Sequence, residues 1–204
     1  MICRLRMARL LIGLASAAIA AGALAQDYPN KPIRILTAAA GGGADFVARA
    51  MATALGNLGQ PVVVDNRGGA GGTIGADLVA KAPPDGHTLL IASMGLAVNA
   101  VLYPKLPYDS VKSFSPVSLL VTAPLIVTAT NSLAAKDAKE LVALARARPG
   151  ELNFAAAGTG SATHLGVELF KSMAQFNIVH IPFRGSGPAA VAVLSGEVTM
   201  TMGG

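Results

Sequence analysis

The sequence predicts an α/β protein of the doubly wound type, arranged as two lobes. Three observations predict it. Strand-like and helix-like patterns alternate almost without interruption from residue 33 to residue 202. One local pattern occurs twice: an apolar run, a small-residue loop rich in glycine, then an amphipathic helix. It reads Ile33-Arg34-Ile35-Leu36 into Ala38-Ala39-Ala40-Gly41-Gly42-Gly43, and Leu152-Asn153-Phe154 into Ala155-Ala156-Ala157-Gly158-Thr159-Gly160. Finally, aromatic residues make up 4% of the chain and there is no tryptophan. The core must then come from Val, Leu, Ile, Ala and Met, as in parallel sheets buried on both faces.

Taken in order, Ile33–Thr37 reads as a strand and 44–57 as a helix with Phe46, Val47, Ala50, Met51, Ala54 and Leu55 on one face. Residues 61–65 form a valine-rich strand. Residues 71–81 form a helix, stopped by the turn Pro83-Pro84-Asp85-Gly86, and 88–92 form a third strand. Residues 93–115 read as irregular, because Tyr103-Pro104-Lys105-Leu106-Pro107 suits neither helix nor central strand. Strands are expected at 117–121 and 125–130, around Pro124, with the crossover between lobes nearby. Asp137-x-x-Glu140 has capping-box spacing. The helix it opens ends at Arg146 and Arg148, before Pro149-Gly150. Then come strand 151–156, helix 162–174, strand 177–183, helix 187–195 and strand 197–202.

The first 25 residues have the pattern of an export signal. Arg4, Arg6 and Arg9 precede the uncharged run 10–21, and Ala23-Leu24-Ala25 is a cleavage site that leaves Gln26 as the mature start. The stretch is short and Ala/Gly-rich for a membrane anchor of about 20 residues. The single cysteine, Cys3, lies within it, so the mature chain has no disulfide, thiol or lipid-anchor chemistry. Losing three arginines lowers the net charge from +5 to +2, 13 basic against 11 acidic residues. Without a Lys/Arg stripe interleaved with aromatics, nucleic-acid binding is not expected.

The candidate site residues follow strands and open helices, where backbone N–H groups and the positive end of the helix dipole favour an anion. In the first loop they are Gly41, Gly42, Gly43 and Asp45. A glycine triplet is equally an ordinary strand-to-helix turn, and Asp45 equally an N-cap. The second loop offers Gly158, Thr159, Gly160, Ser161 and His164, with hydroxyl donors beside the backbone. A lone helical His is also a common packed residue. The third loop, Arg184-Gly185-Ser186-Gly187-Pro188, offers Arg184 to a carboxylate, or simply exposes it to solvent. Nucleotide binding lacks a Gly-Lys-Ser/Thr motif and the G-x-G-x-x-G spacing. Neither Ser161 nor Ser186 sits in G-x-S-x-G, and His87, His164 and His180 show no metal-ligand spacing. No catalytic residue, metal or cofactor is therefore expected.

The stretch Asp65-Asn66-Arg67-Gly68-Gly69-Ala70-Gly71-Gly72-Thr73-Ile74-Gly75-Ala76, with Lys81-Ala82-Pro83-Pro84-Asp85-Gly86-His87-Thr88-Leu89-Leu90, resembles the solute-binding receptors of the tripartite tricarboxylate transporter family, expanded in Bordetella. Leu102-Tyr103-Pro104-Lys105-Leu106-Pro107-Tyr108-Asp109, Gly158-x-Gly-Ser161-x-x-His164-Leu165 and Gly185-Ser186-Gly187-Pro188-Ala189 carry it further. The resemblance implies a two-lobed periplasmic binding protein, type II-like. Residues 1–25 would be the signal peptide, 26–120 lobe 1 and 121–204 lobe 2, with the return to lobe 1 missing and the chain a truncated form. It implies a ligand between the lobes: a di- or tricarboxylate, an acidic amino acid or an aromatic acid, handed to membrane permease subunits. Two departures stand out. The first loop, Thr37-Ala38-Ala39-Ala40, lacks the family's prolines and aromatic residue and is one residue shorter. The family also continues beyond residue 204. The alternatives are an exported hydrolase using Ser161 and His164, a sensor partner presenting ligand to a membrane kinase, and a non-functional fragment.

Overall fold

The computed structural model describes residues 28–203. The export signal and its cleavage site lie outside them. Seven strands form two sheets. The first holds β1 (Ile33–Thr37), β2 (Val62–Asn66) and β3 (Thr88–Leu90) in the order β2-β1-β3, all parallel. The second holds β4 (Ile126–Ala129), β5 (Asn153–Ala156), β6 (Val179–Pro182) and β7 (Met200–Gly203) in the order β4-β7-β5-β6. Only the β4–β7 pair is antiparallel. The helices are α1 (Gly43–Gly56), α2 (Thr73–Ala80), α3 (Gly95–Leu102), α4 (Ala138–Ala147), α5 (Ala162–Ala174) and α6 (Ser186–Leu194). Among the described residues no helix is long and apolar enough to cross a membrane.

The strand orders place the glycine loops. After β1 the chain moves to β2 on one side, then returns past β1 to β3 on the other. After β5 it moves to β6, then back past β5 to β7. Each reversal is a switch point, where connections diverge to opposite faces and leave a crevice at the carboxyl end of the strand. Both repeated Gly loops sit at such points.

Each sheet has its own core. Ile33, Ile35 and Ala48 are fully buried, packed against Met51, Leu55, Val62, Val64 and Leu89. In the second sheet one face carries Leu141, Phe154, Val167, Ile178 and Met200, and the other Ala155, Ala189, Ala192 and Val198. Asp137 caps α4, its carboxylate accepting the Glu140 N–H at 2.8 Å. Glu140 reaches back to the Lys136 N–H at 2.7 Å, so the expected capping box forms one residue early on its return side. At the other end of α4, Arg146 donates to the Ala174 carbonyl at the end of α5.

Several expectations need correction. Helix α1 does not bury the Phe46–Ala50–Ala54 face; Phe46 is 75% exposed. Asp45 is itself buried, held by hydrogen bonds to its own loop, and this sets the helix rotation. The inward face is therefore Asp45, Ala48, Met51, Ala52 and Leu55, so the expected Met51 and Leu55 do pack inward while Phe46, Ala50 and Ala54 are exposed. Asp45 is not the N-cap: Gly42 is, with no side-chain bond. The stretch 93–115 is not wholly irregular, since α3 forms within it. No strand forms at 117–121 among the described residues. Val117 and Leu119 are more than three-quarters exposed, and apolar alternation without a hydrogen-bonding neighbour does not make a ladder.

Candidate functional site

The loop after β1 is shaped by Asp45. Its Oδ2 accepts the Gly41 N–H at 3.0 Å and Arg49 Nε at 3.1 Å. Its Oδ1 accepts Asn66 Nδ2 at 2.8 Å, and Asn66 also donates to the Ala38 carbonyl. Burial pushes the Asp45 carboxyl up, but the bonds from Gly41, Asn66 and Arg49 outweigh it and hold the group below the ordinary aspartate value. Gly41 takes φ +79°, and Gly42 and Gly43 start the helix. The first N–H groups of α1 have no intrahelical acceptor and point into the loop.

The loop after β5 is held in a similar way by its own side chains. Ser161 is the N-cap of α5, its Oγ accepting the His164 N–H at 3.2 Å and lying 2.9 Å from Thr163 Oγ1. Thr163 accepts the Ala157 N–H at 3.0 Å. The His164 Nδ1 accepts the Gly160 N–H at 3.3 Å. The imidazole thus serves the loop backbone and does not take up the Ser161 hydroxyl, the geometry a serine nucleophile requires. Thr159 and Arg184 are exposed. Among the described residues no group of three or more His, Cys, Asp or Glu is arranged to hold a metal.

The two sheets meet through these loops, largely backbone to backbone. A Cβ added at Gly71 (φ +64°) would lie 2.7 Å from the Thr159 carbonyl oxygen. One at Gly160 (φ +82°) would lie 2.5 Å from Asn99 Oδ1. Gly187 faces the Ala40 carbonyl, Gly42 faces Ser186, and Gly185 abuts the Ala39 methyl. Tyr103 donates to the Thr159 carbonyl at 3.4 Å.

The structure thus places Gly41 and Gly42 against Gly187 and Ser186, and Gly158, Thr159 and Gly160 against Gly71, Asn99 and Tyr103. It binds Asp45, Ser161 and His164 into the scaffolding of their own loops. Sequence reasoning missed Asn99 and Gly71. Asn99 is buried in α3, donates to the Gly71 carbonyl at 3.1 Å, and has no partner for its Oδ1. One asparagine inside the otherwise apolar Gly95–Leu102 run was the available signal.

Two doubly wound sheets whose switch-point Gly loops each pack on the opposite unit are the architecture of periplasmic binding proteins. The particular lineage follows from the sequence: the family model for the tripartite tricarboxylate transporter family receptor (TctC) matches residues 47–203, and the chain belongs to that family. It is 43% identical over 202 residues to protein BugT of Bordetella pertussis, covering 95% of this chain and 62% of BugT. Two solved structures from Rhodopseudomonas palustris are similar. Rpa4515 with adipate gives a TM-score of 0.83 at 34% identity, over 86% of this chain and 60% of that one. MatC (Rpa3494) with bound malate gives 0.78 at 36% identity, over 86% and 61%. The chain therefore spans about six-tenths of the length of these relatives.

Proposed function

We propose that this chain is a solute-capturing receptor that grips a small organic carboxylate between two lobes, 26–120 and 121–204, and passes it to membrane permease subunits. It works in the periplasm after cleavage behind Ala25. The observation that carries this reading is that both switch-point loops pack against the opposite unit, Gly41 and Gly42 on Ser186 and Gly187, and Gly158 and Gly160 on Gly71 and Asn99. Each opens a helix, α1 or α5, whose first N–H groups lack intrahelical acceptors, and the two helix dipoles add positive potential there. Thr159 and Arg184 supply further donors at the rim. Asp45, Ser161 and His164 act one step back, fixing the loops. Because each loop packs directly on the opposite unit, a ligand enters only when the lobes part, and its carboxylate replaces part of the direct contact. The adipate and malate on the similar proteins support a di-acid.

The test is a thermal-shift screen of the chain with malate, adipate, citrate, glutamate and benzoate. A true ligand at a hundred times its Kd stabilises by about 2.7 kcal/mol. No stabilisation by any of the five would overturn the reading.

A further inference from the structure

Beneath the β5–α5 loop three rings form a cluster, with Phe154 and His164 centroids 6.3 Å apart. His180 of β6 lies on Phe154 of β5, with centroids 4.9 Å apart and planes 20° apart. His164 of α5 lies on His180 at 4.2 Å. At the top, His164 Nδ1 holds the Gly160 N–H. Below, the His180 Nε2 is buried and has no hydrogen-bond partner.

The charged groups around the cluster are few. From α5 come Glu168 and Lys171, paired at 2.8 Å, with the ammonium 5.7 Å from the Phe154 ring centre. Arg146 of α4 lines the same groove as Glu168 and Lys171. The α3 end brings Tyr103, through its bond to Thr159. β5 contributes Phe154 and β6 contributes His180 itself. Burial pushes both imidazoles below the ordinary histidine value. Lys171 acts in the same direction on both, the neighbouring His164 adds to the effect on His180, and Glu168 opposes it. Both rings are thus neutral at pH 7 and gain protons only in acid.

We propose that the contacting His164–His180 pair is a pH-sensitive latch on the Gly158–Ser161 loop, holding it in shape when neutral and releasing it when protonated. A neutral imidazole has one acceptor nitrogen, and His164 uses it on Gly160. Once protonated, both of its nitrogens are donors, so Nδ1–H faces Gly160 N–H and the bond is lost. A proton taken by His180 instead lies one ring away and disfavours a second on His164, so the pair titrates as a unit. The consequence for binding rests on the receptor reading above: carboxylate affinity falls in acid because Gly160 leaves its place.

The experiment is an NMR titration of the unliganded chain from pH 8 to pH 5, following the Gly160 amide and the histidine ring protons. Gly160 is expected to shift with the same midpoint as His164, below pH 6.5, and to stay still in His164→Gln. A Gly160 resonance that does not move in the native chain overturns the latch, with no need for the variant to fold. Adipate affinity at pH 7.5 and pH 5.5 is the second arm. The native chain should weaken more than His164→Gln, by a factor below the roughly tenfold that an imidazole at the ordinary histidine value would give over this range. Since adipate's own protonation affects both proteins, parallel falls overturn the link to binding. If adipate, malate and the other acids fail at every pH while Gly160 still titrates, the receptor reading fails and the latch stands.

Discussion

Asp45 commits both carboxylate oxygens to Gly41 of its loop, Arg49 of α1 and Asn66 of β2, and so fixes the loop's shape. Replacing it with alanine leaves the Gly41 N–H and Asn66 without their acceptor and should cost about 1–3 kcal/mol, the usual range for a buried polar group losing its partner. Urea unfolding at pH 7 measures it. The pH dependence follows from the lowered carboxyl. Its stabilisation is fully present above the unfolded aspartate value near 3.8 and fades as pH falls through the lower folded value. The alanine variant should therefore lose less stability than the native chain below pH 4. An equal acid limb in both proteins would refute the assignment. The histidine pair is separated by its window: its neutral forms stabilise the fold above about pH 6.5, and that part is lost in milder acid.

Among the elements, α3 marks the limit of what the sequence made legible. The strand–loop–helix units were readable because their periodicity changes abruptly at glycines. Helix α5 falls on the expected residues 162–174. α3 gave no such signal: it has eight residues, is apolar nearly all round, and has no side-chain cap. Its neighbours Gly71, Thr159 and Gly160 are distant in sequence, so its role at the junction emerges only from the tertiary fold. The same holds for the inward face of α1, fixed by Asp45 rather than by the hydrophobic pattern alone. The α3 junction makes its own prediction. Gly71→Ala forces a methyl group to 2.7 Å from the Thr159 carbonyl at a positive φ. It should destabilise the chain by about 1–3 kcal/mol and weaken acid binding, read by calorimetry. Gly56→Ala, where a methyl group meets nothing within 4 Å, is the control and should leave both nearly unchanged.

For the molecule as a whole, the two sheets have separate cores and touch through narrow loops, the arrangement expected of a hinge rather than of a fused core. Cys3 is the only cysteine, so a mature chain starting at Gln26 accepts two site-specific labels. Dyes at Asn57→Cys on the first unit and Lys139→Cys on the second, both exposed, should change their energy-transfer efficiency on adding a ligand found in the thermal screen. Stabilisation with unchanged efficiency would show that binding occurs without lobe motion.

The glycine junction also bears on how such a receptor acquires a new diet. Where two surfaces meet this closely, substitution has little to vary, because a side chain added at Gly71, Gly160 or Gly185 obstructs the contact. On the proposed reading, the handle that the loops grasp is then common to any acid, whatever skeleton it carries. On that reading discrimination is left to the residues around the handle: Ala38–Ala40, Thr159 and Arg184. Retargeting the protein would mean rebuilding that rim while leaving the glycines alone.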